Sequence, residues 1–122
     1  MSSDQIVAYC LAKPGAYEDT PYGPTPICLK IRGRVFAQVH PDPFEFRVTM
    51  RAEPLVAEEY RMQYPQAVNR SKYTEPGKQT QWMTVEITDE VPEDVVRRML
   101  DQAYDMVAQN LPKSRRSDLL ED

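Results

Sequence analysis

Residues 27–40, ICLKIRGRVFAQVH, decide the fold because two strand patterns flank a turn signal. In the first half, every second residue from Ile27 is aliphatic, which is typical of a half-buried β-strand. Gly33 then interrupts the pattern before a second apolar run. These features predict a tight hairpin with strands near 27–32 and 35–40. If Gly33 and Arg34 form a two-residue turn, the pattern leaves open which face of the second strand is buried.

The residues after the hairpin contain the clearest alternation in the chain. From residue 44 to residue 50, four apolar side chains alternate with charged or polar ones, so we expect a strand whose core face consists of Phe44, Phe46, Val48 and Met50. A last strand is predicted near 82–88, where Met83, Val85 and Ile87 alternate with polar residues or Trp82.

Three segments, near 3–13, 54–64 and 92–110, have the spacing of amphipathic helices. The second is expected to cover the sheet with Leu55, Val56, Tyr60 and Met62. The third is the strongest, because its apolar residues follow the 3.6-residue period through five turns. Four prolines and two glycines argue against regular structure in residues 14–26, and the polar stretch 67–81 predicts a long loop or a hairpin.

The order of these elements predicts an α+β two-layer sandwich, in which an antiparallel sheet carries its helices on one face. The other face is then open to solvent or to a partner. A chain of 122 residues fits one domain. We expect a single domain over residues 1–112 and a polar C-terminal tail over residues 113–122.

Composition and short motifs exclude several classes of protein. The longest apolar run, residues 6–12, is far short of the roughly 20 residues that span a bilayer, and the first residues lack the basic region of a secretory signal. We therefore expect a cytoplasmic protein without a membrane partner. Cys10 and Cys28 are expected to be reduced and buried.

The sequence offers few groups for catalysis or metal binding. His40 is the single histidine, and it lies between a strand and the prolines of residues 41–43, where a turn or surface role is expected. No metal-ligand spacing accompanies it. We predict no catalytic residue, no metal and no cofactor, so the protein is not expected to be an enzyme.

Charge is distributed unevenly along the chain, whose net charge is −4. Residues 27–51 hold five bases against two acids, whereas residues 85–112 hold two bases against seven acids. The bases thus concentrate on the predicted sheet, and a basic face around an exposed aromatic ring suits phosphate contact and base stacking. The candidate nucleic-acid-binding residues are Lys30, Arg32, Arg34, Arg47, Arg51, Lys78 and Trp82. The alternative is a solvated sheet face over which Trp82 packs.

Four separated motifs resemble those of the MmcQ/YjbR family of small bacterial proteins. They are KPGAYEDTPYG at 13–23, KIRGRVFA at 30–37, AEPLVAEEYRMQYP at 52–65 and WMTV at 82–85. The resemblance covers about residues 4–110 and implies a frataxin-like, secretion-chaperone-like α+β fold with a double-wing arrangement that contacts DNA. Where the family often has a basic, histidine-containing stretch before the tryptophan, this chain has Gln79, Thr80 and Gln81, which leaves Lys78 as the nearby cation.

These observations predict a non-enzymatic DNA-binding protein that uses its basic sheet face and hairpins. The alternative is a protein-binding adaptor or chaperone-like domain, because an open sheet or helix face suits a partner protein or a homodimer equally well.

Overall fold

The structure is a computed structural model that describes residues 1–70 and 81–111. Its elements in chain order are α1 (Ser3–Leu11), β1 (Tyr17–Asp19), β2 (Ile27–Ile31), β3 (Arg34–His40), β4 (Arg47–Arg51), α2 (Pro54–Gln63), β5 (Val68–Arg70), β6 (Trp82–Glu86) and α3 (Glu93–Gln109). The predicted tail over residues 113–122 and the candidate residue Lys78 lie outside the described residues.

The six strands form one sheet in the order β1-β2-β3-β4-β6-β5, and every neighbouring pair is antiparallel. Buried side chains from all three helices join one apolar face of this sheet in a single core. We call this face the inner face and the opposite one the outer face. The predicted α+β class with an antiparallel sheet is confirmed. Within the described residues, no helix combines the length and the apolar character needed to cross a bilayer.

The third helix closes the core as its periodicity predicts. Seven of its side chains are buried: Val95, Val96, Met99, Leu100, Ala103, Tyr104 and Val107. They pack against β3 and β4, where the ring of Tyr104 meets that of Phe36 edge-to-face at a centroid distance of 5.5 Å.

The β2–β3 hairpin turns one residue earlier than the sequence predicts. Ile31 pairs with Arg34, so the two turn residues are Arg32 and Gly33, with φ values of 49° and 83°. Two consecutive positive φ angles are the signature of a type I′ turn, whose twist matches that of the strands it joins. The predicted Gly33-Arg34 turn is therefore wrong, and Arg34 begins the second strand.

A β-bulge settles which side of β3 is buried. Leu29 pairs with Ala37 whereas Lys30 pairs with Val35, so Phe36 is an additional residue on β3. Both Phe36 and Ala37 are fully buried, although neighbouring residues of a regular strand point to opposite faces.

The predicted strand over 44–50 begins too early. Strand β4 starts at Arg47, and Phe44 is 95% exposed rather than part of the core. Asp42 explains the difference, because its Oδ1 accepts hydrogen bonds from the backbone N–H groups of Phe44 and Glu45 at 2.8 and 3.2 Å. This side-chain turn removes both residues from the sheet.

Of the two alternatives for the polar stretch 67–81, the structure agrees with the hairpin, because β5 pairs antiparallel with β6. Two further expectations need correction. Residues 14–26 are expected to lack regular structure, yet they contain β1. Leu55 and Met62 were assigned to the buried stripe of α2, yet they are 81% and 76% exposed. The helix buries Tyr60 as predicted, together with Ala57, and Val56 is partly buried.

A polar cluster fastens the end of α1 to the middle of α3. Tyr9 donates from its hydroxyl to Asp101 Oδ1 at 2.6 Å, and Lys13 Nζ donates to the same oxygen at 2.5 Å. The Tyr104 hydroxyl donates to the carbonyl of Pro14 at 2.5 Å. The bond to Asp101, with partial burial, raises the pKa of Tyr9 to about 12. The KPG segment is thereby held against α3.

Both cysteines are free and buried, as expected. Burial raises the pKa of the Cys10 thiol to about 12.

We expect Leu100→Ala to lower the free energy of unfolding by ~2–5 kcal/mol, because Leu100 is fully buried and its truncation leaves a cavity. Leu55→Ala is the matched control, and its exposed side chain should change stability by less than about 0.5 kcal/mol. Urea unfolding of both variants measures the difference. Similar losses in the two variants would contradict the packing described.

The Asp101 cluster predicts a pH-dependent contribution to stability. Partial burial opposes ionisation of Asp101, but the hydrogen bonds from Lys13 and Tyr9 outweigh it and hold the pKa of this carboxyl below its usual value. A depressed folded-state pKa stabilises the fold above the unfolded-state pKa of about 3.9, and the contribution is lost as pH falls through the folded-state pKa. Asp101→Asn should therefore be less stable than the parent at pH 7, by about 1 kcal/mol or less because solvent screens the pair.

Urea titrations between pH 7 and pH 2 test this, since the difference should shrink below about pH 4. Asp105→Asn on the same helix is the control. A difference between parent and Asp101→Asn that stays constant down to pH 2 would contradict the role of the charged carboxylate.

Candidate nucleic-acid interface

The outer face carries a row of polar residues across the centre of the sheet. Strand register aligns Asp19, Cys28, Gln38, Thr49, Thr84 and Asn69. Thr49 Oγ1 and Thr84 Oγ1 lie 3.0 Å apart, and Thr49 is only 1% exposed. The middle of the face therefore offers buried hydroxyl groups rather than exposed cations, and the candidate bases flank this row.

Lys30 lies beside the polar row, but Asp19 on β1 largely neutralises its charge. Lys30 Nζ donates to Asp19 Oδ2 at 2.7 Å, and the lysine side chain is 18% exposed. This hydrogen bond lowers the pKa of Asp19 and raises the pKa of Lys30. Sequence reasoning missed the pairing because it assigned Asp19 to an irregular loop, whereas β1 aligns with β2.

Arg47 lies at the opposite end of the sheet from the hairpin turn and is surrounded by acids. Its Nη1 lies 3.6 Å from Glu45 Oε2 and donates to the Glu45 carbonyl at 3.2 Å, and Glu86 is its register partner on β6. Four residues of strand, about 13 Å at ~3.3 Å per residue, separate it from Arg51. Arg47 is therefore not part of a patch with the bases near the turn.

His40 neighbours Arg47 and lines an open cavity of about 220 Å³ with Thr25, Pro41 and Asp42. Burial, helped by the charge of Arg47, lowers the pKa of His40. The Asp42 oxygen that a catalytic pair would use to orient the imidazole accepts backbone N–H groups instead. The arrangement is that of a turn, as the sequence predicts.

Arg51 and Trp82 form a stacked pair at the hairpin end of the sheet. The guanidinium carbon of Arg51 lies 4.5 Å from the centroid of the Trp82 ring, within the range of a cation–π contact. Arg51 Nη1 also donates to Gln81 Oε1 at 3.1 Å. Burial, and secondarily the charge of Arg34, lowers the pKa of Arg51. One face of the half-buried indole is thus covered by a fixed cation.

Arg34 and Arg51 converge on an open cleft of about 400 Å³. Gln81 and three residues near the C-terminus of α3, Met106, Val107 and Asn110, also line it, and none of the lining residues among 1–70 and 81–111 is acidic. Within residues 1–70 and 81–111, neither arginine has an ion pair. Two guanidinium groups without a counter-charge form a site for an anion.

The structure therefore divides the candidate residues. Arg32 is exposed at the tip of the turn, and with Arg34, Arg51 and Trp82 it forms what we call the hairpin-end cluster. Lys30 stands outside this cluster and is paired with Asp19, whereas Arg47 is remote. Gln81 and the C-terminal end of α3 also contribute to the site, although no pattern in the sequence predicts their part in it.

Comparison with known proteins agrees with this fold. The family model named YjbR matches residues 11–106. The chain belongs to the YjbR family. It is 25% identical over 121 residues to the uncharacterized protein YjbR of Escherichia coli K12, with 99% of each chain covered.

Two solved structures share the YjbR fold seen here. A Deinococcus radiodurans protein assigned to the domain family DUF419 superposes with a TM-score of 0.87 at 21% identity, covering 97% of this chain and 87% of that one. A Pseudomonas syringae protein gives a TM-score of 0.71 at 12% identity, covering 87% of this chain and 98% of that one.

The motifs that resemble the YjbR family perform structural tasks in this chain. Lys13 binds Asp101, and Asp19 binds Lys30. The Tyr17 hydroxyl accepts a hydrogen bond from the backbone N–H of Gly33 at 3.1 Å. The first motif therefore holds the hairpin turn of the second, and with it the arginines that flank Gly33.

The single tryptophan allows a direct test of the hairpin-end geometry. Because Arg51 lies over the indole and Arg34 is close by, anionic iodide should quench Trp82 fluorescence more than caesium does at low ionic strength. Arg51→Gln should reduce the iodide-to-caesium quenching ratio, while Arg47→Gln should leave it unchanged. Acrylamide quenching corrects for altered exposure of the ring. Equal ratios in the parent and Arg51→Gln would contradict the stacked pair.

Proposed function

We propose that this YjbR protein binds DNA without catalysing a reaction on it, and that the hairpin-end cluster makes the contact. The observation that carries the proposal is the convergence of Arg34 and Arg51 on one cleft whose described lining residues include no acid. Burial is the main cause of the lowered pKa of Arg51, and the charge of Arg34 adds to it, so a phosphate group between the two arginines would offset both the lost hydration and the repulsion. Arg32 extends the same positive region to the tip of the β2–β3 hairpin, which would act as a wing.

The proposal assigns unequal roles to the candidate residues. Arg34 and Arg51 contact phosphates, since neither has an ion pair within the described residues, and Arg32 contacts a phosphate from its exposed position at the tip of the turn. Lys30 contributes less, because Asp19 competes for its ammonium group. Trp82 chiefly positions Arg51, and only the part of its ring that Arg51 leaves open can stack on a base.

Two observations support a binding role over catalysis. The Asp42 carboxylate next to His40 caps a backbone turn, and the raised pKa of the Cys10 thiol keeps this buried group protonated and unreactive at neutral pH. The overall net charge of −4 limits affinity away from the cluster. The proposal includes a cytoplasmic location, where a bacterial DNA-binding protein would meet its ligand.

A protein-binding role is the second candidate, and one observation on α2 favours it. Leu55 and Met62 are strongly exposed and stand seven residues apart, which places them on one side of the helix two turns from each other. Exposed Glu59 lies between them, so a partner would need two apolar contacts around a basic group. Such binding would not depend on the hairpin arginines.

Salt-dependent titration of a fluorescent duplex tests the DNA proposal. Three phosphate contacts give a slope of log K against log salt near about −2.7, and reversing Arg32 and Arg34 to Glu should weaken binding to all sequences alike and bring the slope to about −0.9. Arg97→Glu with Arg98→Glu on α3 is the control, since it changes the net charge equally at a distance from the cluster. Anisotropy measurements at several salt concentrations supply both numbers.

Three outcomes would contradict the proposal. The first is that the parent protein does not bind the duplex at low salt. The second is that the hairpin and α3 double variants lose affinity equally, and the third is that the hairpin double variant keeps the salt slope of the parent. Loss of binding by Leu55→Glu with Met62→Glu, at unchanged slope, would instead favour the α2 surface.

A further inference from the structure

A second concave surface adjoins the cleft that Arg34 and Arg51 line. It is a groove of about 250 Å³ between the start of α2 and the face of α3. Its apolar wall consists of Ala52, Val56, Met83, Met99 and Met106. Arg51 and Met106 line both the groove and the cleft, so the two concavities meet at these side chains.

The two concavities differ in chemistry. In the described part of the chain, the cleft is lined by Arg34 and Arg51 and by no acid, whereas the groove adds Glu53 and Asp105 beside its methionines. An anionic group is attracted at the arginine end and repelled by the acids of the groove. An apolar group is stabilised most at the methionine wall, where its surface is removed from water. A ligand with both parts can therefore lie in one orientation only.

We propose that this composite site binds a small amphipathic anion, which carries one carboxylate or phosphate group on an apolar body. The combined volume falls in the range of small-molecule sites, roughly 300–1,000 Å³. The thioether side chains adapt to chain-like or flat apolar groups, because Met is unbranched and polarisable. The inference does not depend on DNA binding. If both hold, the shared arginines make the anion and DNA compete.

The cation end is organised before a ligand arrives. Trp82 and Gln81 hold the Arg51 guanidinium at 4.5 Å and 3.1 Å, so binding need not immobilise a free arginine. The Gln81 amide accepts from Arg51 through Oε1, which leaves its Nε2 donor for a ligand oxygen. A carboxylate or phosphate group of the ligand that binds Arg34 in a bidentate manner adds charge-assisted hydrogen bonds.

Binding of simple probes by isothermal calorimetry and by methyl-resolved NMR of the methionines tests the site. Octanoate and monooctyl phosphate should bind at least about tenfold more tightly than acetate or inorganic phosphate, because each buried methylene is expected to strengthen binding about fourfold. They should also bind at least about tenfold more tightly than octanol, which lacks the charged head group that the arginines bind. The ratio of the two octyl anions shows which head group the arginines prefer. The inference would be overturned if either octanol or acetate bound as tightly as octanoate.

Variants separate the two halves of the site. Arg34→Gln should weaken octanoate binding about tenfold and leave octanol unchanged, while Arg47→Gln, an equal loss of charge on the same sheet, should have no effect. Met106→Gln should weaken the binding of octanoate and leave the binding of acetate unchanged. If Met106→Gln does not fold, Val56→Thr in the same apolar wall should have the same effect. Equal effects of Arg34→Gln and Arg47→Gln would overturn the site, whatever the DNA titration shows.

Discussion

The packing of α3 across β3 and β4 is the contact on which the rest of the structure depends. This helix buries seven side chains on the inner face, and its polar groups also reach other elements. Asp101 binds the end of α1 through Tyr9 and Lys13, while Tyr104 meets both Phe36 and the Pro14 carbonyl. The last turns of the helix form one wall of both concavities. A single amphipathic helix thus organises the core, the N-terminal segment and the candidate site.

The parts of the fold that the sequence predicts are those whose pattern is long enough to define a period. The stripe of α3 and the alternation in β2 and β6 are of this kind. Strands β1 and β5 have three residues each, which is too few to distinguish alternation from chance, and their pairing partners are distant in sequence. Phe44 continues the β4 pattern in sequence, but the Asp42 side chain captures its backbone N–H, an interaction that hydrophobicity does not encode.

For the candidate site, strand parity assigns Lys30, Arg47 and Arg51 to the outer face, yet it says nothing about their neighbours, and Arg51 at the end of β4 also lines the concavities beside α3. The Asp19 contact that neutralises Lys30 depends on β1. The proximity of Arg34 to Arg51 depends on a turn that closes one residue earlier than predicted and on a bulge at Phe36. Positions of single side chains therefore follow from local pattern, whereas clusters require register.

The shortness of β1 and β5 has a consequence for self-association. Exposed sheet edges are sites where identical chains add strand to strand and aggregate, and proteins commonly avoid this by keeping edge strands brief or charged. Both edge strands here span three residues, and β1 carries two acids with Pro21 two positions beyond its end. Within residues 1–70 and 81–111, neither edge offers a long template on which another chain could extend the sheet.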